Sequence, residues 1–134
     1  MSRVEQVAVL KHDKAVICVL LSHHTAITAS VDKTVRVWET RTGELLHILT
    51  HSTPCVNLDI SSDKTLLAVA HSDDGDGDDD GGVAVWSMDK FEKLADIKLG
   101  DTQDVRFFND RTIVAGNNDG EIHMINMNNK GTAF

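Results

Sequence analysis

The 134-residue sequence predicts an all-β fold of repeated four-stranded antiparallel sheets, and three observations predict it. Its apolar runs are four to eight residues long, rich in Val, Ile and Thr, and several alternate with period two, which is the pattern of strands. No stretch of about eleven residues or more carries a capped 3.6-residue period. The same order of apolar runs and turn residues returns three times along the chain, and a repeat of this kind decides the architecture.

The elements follow in order. Residues 4–10, VEQVAVL, read as the outer strand of a neighbouring sheet. The three repeats span about 12–50, 51–100 and 101–134. Each opens on a polar residue, followed four positions later by an apolar one: Val16, Cys55 or Val105. Another apolar residue follows three further on: Val19, Leu58 or Phe108. A turn leads to a second run, which ends at Asp32, Asp73 or Asp119. A third run ends at a large apolar residue: Trp38, Trp86 or Ile125. Six residues separate Asp32 from Trp38, and six separate Asp119 from Ile125. Asp73 and Trp86 are thirteen apart because an Asp/Gly insert, residues 73–82, lies between them. Glu44–Leu49 is the outer strand of the first repeat, and FEKLADIKL occupies the same place in the second. The third repeat ends its strands near Met127 and leaves a short stub. Trp86 and Ile125 are 39 residues apart, close to the roughly 40–45-residue period of a four-stranded propeller blade.

The stretch His12…Val16…Val19, then Ala29-Ser30-Val31-Asp32-Lys33-Thr34-Val35-Arg36-Val37-Trp38-Glu39 and Thr42-Gly43, resembles the WD-repeat family. The resemblance covers nearly the whole chain, strongest in the first repeat and weakest in the third, which carries Ile125-Asn126 where Trp-Asp is expected. It implies a β-propeller segment of about three blades, an incomplete ring by itself, since propellers close with about 4–8 blades. It also implies a structural hydrogen-bond network of His12, Ser30, Asp32 and Trp38. In that network Asp32 accepts from the imidazole, and the Ser30 hydroxyl links His12 to the Trp38 indole. The second repeat offers His51, His71, Asp73 and Trp86 at these places, and the third offers Asp101, Asn117, Asp119 and Ile125. No G-x-S-x-G elbow surrounds Ser30, so the Ser/His/Asp trio reads as structural and the chain as a non-enzyme.

Composition narrows the function classes. The formal charge is −8, but Asp73, Asp74, Asp76, Asp78, Asp79 and Asp80 supply much of it, and the body of the domain is near neutral. Neither body nor loop is basic, so no nucleic-acid partner is expected. No apolar run reaches the roughly 20 residues of a membrane helix, and the charged N-terminal stretch does not read as a signal peptide. Cys18 and Cys55 lie in apolar runs without CxxC spacing, as small buried hydrophobes of a reducing, intracellular compartment, cytoplasmic or nuclear.

The acidic stretch HSDDGDGDDDGG, residues 71–82, is a solvated insert or a tether for a basic partner segment. Asp74, Asp76 and Asp78 match the opening of a calcium loop, but Asp79 replaces its Gly and Val85 replaces its closing Glu. No cofactor is expected. His23-His24 reads as a tight turn, and Asn117-Asn118-Asp119-Gly120 as a hairpin turn. The resemblance implies a protein-interaction scaffold, part of a larger propeller or complex, that binds other proteins or peptides. The residues just before each turn Asp, namely Val31, Ser72 and Asn118, are its candidate partner-facing loops. A self-associating half-propeller is the alternative: two chains complete a six-blade ring, or further blades come from elsewhere.

Overall fold

The computed structural model describes residues 4–127, and its regular structure is entirely β. Strands β1 (Val16–Ser22), β2 (Thr25–Ser30), β3 (Thr34–Glu39) and β4 (Leu45–Thr50) form one antiparallel sheet in chain order. Strands β5 (Cys55–Ile60), β6 (Leu66–His71), β7 (Gly82–Ser87) and β8 (Lys93–Lys98) form the second in the same way. Strands β9 (Thr102–Asn109), β10 (Thr112–Asn117) and β11 (Ile122–Asn126) form a third, three-stranded sheet. The outer strands expected over Glu44–Leu49 and FEKLADIKL are present as β4 and β8. The remainder of the third repeat, residues 128–134, lies outside the described residues.

Register aligns the three sheets. Trp38 faces Ala26 across β2 and β3, Trp86 faces Leu67 across β6 and β7, and Ile125 faces Ile113 across β10 and β11. Directly opposed residues of an antiparallel pair point to the same face, so these three pairs mark one equivalent level in each sheet.

The sheets stack through two apolar layers. Ile27, Ala29, Val35 and Val37 of the first sheet meet Leu58, Leu67, Val69 and Trp86 of the second. The alternate residues of the second sheet, Leu66, Ala68, Ala70, Val83 and Val85, meet Val105, Ile113 and Ala115 of the third. The middle sheet is therefore covered on both faces, which is why every residue of β6 is buried and why it reads as a continuous apolar run. Cys55 is buried in the first layer and Cys18 packs against it; both are free thiols.

The two outer faces of the stack stay open. Val19 and Leu21 lie opposite Thr28 and Ala26 on the far face of the first sheet and are 60% and 69% exposed. Ile122 and Met124 on the far face of the third sheet are 77% and 71% exposed. The outer strand expected over residues 4–10 pairs with no strand among the described residues, and Val4, Val7 and Val9 are exposed. A strand exists only through a ladder, and this segment pairs with none of the sheet edges among the described residues. Its C-terminal part lies against the first sheet instead: the Lys11 carbonyl accepts from Arg36 at 3.2 Å, and Gly43 packs under Leu10.

Candidate functional site

The four residues implied as a network come together at one corner of the first sheet, with one substitution. Asp32 is at the centre of the tight turn between β2 and β3 and is pinned by the Thr34 hydroxyl at 2.6 Å and the Thr34 backbone N–H at 2.9 Å. His12 Nδ1 donates to Asp32 Oδ2 at 2.9 Å. His12 Nε2 then meets Thr28 Oγ1 at 2.5 Å, and the Trp38 indole N–H donates to the same oxygen at 2.9 Å. Thr28, not Ser30, is the bridging hydroxyl. The two share a face of β2, but Ser30 lies at the strand end, where its hydroxyl donates to the Ala15 carbonyl at 2.8 Å and accepts from the Asp32 backbone N–H at 3.0 Å. Only Thr28 reaches the level of the indole. One proton arrangement satisfies the chain: indole N–H to hydroxyl, hydroxyl to His12 Nε2, and Nδ1–H to carboxylate. Burial raises the Asp32 carboxyl, but the Thr34 and His12 hydrogen bonds outweigh it and hold the group at about 2.

The second sheet solves the same problem differently. At the level of Thr28 it carries Val69, which has no hydroxyl. Trp86 therefore donates directly to His51 Nε2 at 3.0 Å. His51 is 6% exposed, and its Nδ1 makes no hydrogen bond of normal geometry. Burial, then the nearby positive charge of Lys93, pushes its pKa down to about 4. His71 does not join Trp86; it forms a separate chain with the Thr53 hydroxyl at 2.8 Å and Asp96 at 3.1 Å. Asp73 does not join the indole either, because its carboxylate caps the Gly75 N–H at 2.8 Å. In the third sheet the equivalent level carries Ala115 and Ile113, and Asp101 turns outward to Asn118 and Gln103. These are framework contacts around buried indoles, and none presents a nucleophile to an open cleft.

The candidate partner-facing residues lie along one rim. The backbone N–H groups of Val31, Ser72 and Asn118 donate to the carbonyls of Ala15, Pro54 and Asp101 at 3.1, 2.9 and 2.9 Å. Each turn is thus latched to the start of its own sheet. Side chains then stitch the turns together. Lys33 pairs with Asp74 at 3.2 Å, the Asp73 N–H donates to Asp101 at 3.3 Å, and Asn118 Nδ2 donates to the same Asp101 side chain at 2.5 Å. Asn118 is exposed, while Val31 and Ser72 are half-buried.

The acidic insert is folded onto this rim rather than free of it. Asp74 caps the Asp76 N–H at 2.9 Å, and Asp79 caps the Gly81 N–H at 2.9 Å. Asp79 also accepts from the Ser52 hydroxyl and pairs with Lys98 at 3.1 Å. Burial raises the Asp79 carboxyl, but these donors hold it at about 2. Asp76, Asp78 and Asp80 make no ion pair among the described residues. Asp74, Asp76 and Asp78 do not converge; no group of three His, Cys, Asp or Glu side chains among the described residues is placed to hold a metal ion. Among the same residues no helix is long and apolar enough to cross a membrane.

Comparison with known proteins bears on this geometry. Residues 4–39, which hold the complete His12–Asp32–Trp38 corner, match the family model described as WD domain, G-beta repeat. No curated protein matches the chain in sequence. Among solved structures, one titled "Structure of U3-55K" superposes with a TM-score of 0.76 at 16% identity. The match covers 92% of this chain and 39% of that one, so the chain spans well under half the length of the structure it matches. At that identity the likeness is one of fold.

Proposed function

We propose that this chain, which carries a WD repeat in its first sheet and the propeller-blade fold in all three, serves as a docking scaffold for other proteins. One observation carries the reading: three equivalent turns, at Val31, Ser72 and Asn118, are latched to their sheets and stitched into one continuous rim. A rigid platform built from turns is what a scaffold needs, because loops held by a sheet framework can recognise without moving. On this reading the chain performs no chemistry of its own and works inside the cell, in cytoplasm or nucleus. The partner class favoured by the insert is a Lys/Arg-rich segment, since Asp76, Asp78 and Asp80 are exposed beside the rim and make no ion pair among the described residues.

The test is affinity capture with the full chain against a Val31/Ser72/Asn118 triple-Ala variant, each quantified by mass spectrometry. A defined set of proteins lost from the variant supports the rim. An identical set from both removes it. A basic partner at the insert is expected to bind less tightly as salt rises, since exposed charge pairs are screened within about 8–10 Å at physiological ionic strength.

The self-associating reading is favoured by a different observation, the open apolar faces at the two ends of the stack. Light scattering on a size-exclusion column separates the readings. A sharp species at twice the 14.7 kDa chain mass supports ring closure by two copies. A sharp species at the chain mass argues against it.

A further inference from the structure

The rim opposite the stitched turns holds a groove that the scaffold reading does not use. It opens between the first and second sheets, with a volume of about 520 Å³. Its floor is the lower end of the first apolar layer: Ile27, Val37, Ile60 and Met88. One wall is His47 of β4 stacked on Phe91 of the β7–β8 turn, with ring centroids 3.5 Å apart and planes 14° apart. That stack joins one sheet to the next. The volume lies within the roughly 300–1,000 Å³ of small-ligand sites, and suits one or two large side chains.

Charge and backbone both single the groove out. The chain holds 21 acidic residues, yet none lines this groove; its charged and titratable lining is Lys64, His23 and His47. Lys64 makes no ion pair among the described residues, a state it shares with Lys11, Lys14 and Lys90, and it is the only one of these four that lines the groove. Its neighbour Asp63 is already taken by Ser61, Thr65 and Arg111. Among the described residues four non-glycine positions have positive φ, and three of them line the groove: His23 at 55°, Lys64 at 64° and Phe91 at 54°. Each sits in a tight turn whose geometry suits glycine. All three are in hairpin turns that open at the same end of the stack, β1–β2, β5–β6 and β7–β8, and this places their side chains around one shared surface.

We propose that this groove is a second docking site, and that it takes an extended peptide segment presenting a large apolar side chain next to carboxylates. The apolar residue covers Ile60 and Met88, and the carboxylate meets Lys64. The proposal deepens the scaffold reading by giving it a second partner class, acidic and apolar, on the rim away from the acidic insert.

The experiment is fluorescence anisotropy of the full chain with a labelled peptide of sequence Gly-Asp-Leu-Phe-Glu-Gly. Comparison peptides carry Lys at both acidic places or Ser at both apolar places. The acidic-apolar peptide is expected to bind, and each comparison peptide to bind about tenfold more weakly or worse, the equivalent of about 1.4 kcal/mol. Lys64→Glu and the groove-filling Met88→Trp should each weaken binding by a similar factor. Lys64→Gly should weaken binding while raising the thermal midpoint, because it relieves the positive φ; a folding defect would lower both. Failure of the acidic-apolar peptide to bind, equal binding of the Lys peptide, or unchanged affinity in folded Lys64 variants overturns the proposal. The Val31/Ser72/Asn118 triple-Ala variant should bind the peptide like the parent chain. The groove and the rim therefore fail independently.

Discussion

Thr28 shows how much one hydroxyl can decide. Among the described residues it is the only group joining the Trp38 indole to His12. Thr28→Val keeps the shape of the side chain but leaves a buried N–H unpaired, and should cost about 1–3 kcal/mol in urea unfolding, against a much smaller loss for Thr28→Ser. Trp38→Ala removes the whole ring and should cost roughly 3–5 kcal/mol. The placement of Thr28 was half legible in the sequence. Period-two alternation puts Thr28 and Ser30 on one face of a strand, but cannot say which of them is level with a side chain on the next strand. His51 is the other decisive residue. Its pKa is about 4 when folded and near 6.5 when unfolded, so the unfolded chain binds the extra proton first. Stability should therefore fall as pH drops from about 6.5 to 4, by roughly 3 kcal/mol, and this slope should vanish in His51→Gln. Asp32 and Asp79, held at about 2, add a second loss below pH ~4, as their carboxylates protonate and release their donors. Denaturant midpoints measured from pH 8 to pH 2 would resolve the two steps, and a flat profile between 6.5 and 4 would contradict the burial of His51.

At the scale of elements, the acidic insert and the strand that follows it differ sharply in tolerance. Gly75 has open space around it, whereas a Cβ on Gly82 would come within 2.0 Å of the Ile97 carbonyl of β8. Gly82→Ala should lower stability by about 3 kcal/mol or more through forced separation of β7 and β8. Gly75→Ala, whose φ is +80°, should cost about 1 kcal/mol from backbone strain alone. Thermal melts of the two variants compare them directly. The strands themselves were legible, because β-branched alternation and the Asp-to-Trp spacing are local signals that the sheets obey. The FEKLADIKL segment was placed correctly by its position in the repeat rather than by its own pattern. Residues 4–10 alternate like a strand but join no ladder among the described residues, and the neighbouring sheet to which the pattern assigns them is not part of this structure. The groove was illegible for a related reason. Its lining comes from strands and turns of two sheets, brought together by stacking that no local spacing encodes.

At the scale of the whole molecule, the sheets form a stack in which each packs on its neighbour. The end faces hold exposed Val19 and Leu21 at one side, Ile122 and Met124 at the other. Val19→Glu or Met124→Glu should leave folding intact and reduce any self-association seen by light scattering, because these side chains touch solvent rather than core. Unchanged association would place the contact elsewhere. The middle sheet has a different standing from the outer two. Covered on both faces, β6 is, among the described residues, the one strand whose every residue is buried, and neither flanking sheet is covered on both faces by them. Protection against amide hydrogen exchange should therefore be graded along the stack, slowest in β6 and β7 and faster toward β1 and β11. A chain arranged this way frays from its ends, and what fails last is the sheet that two sequence neighbours hold between them.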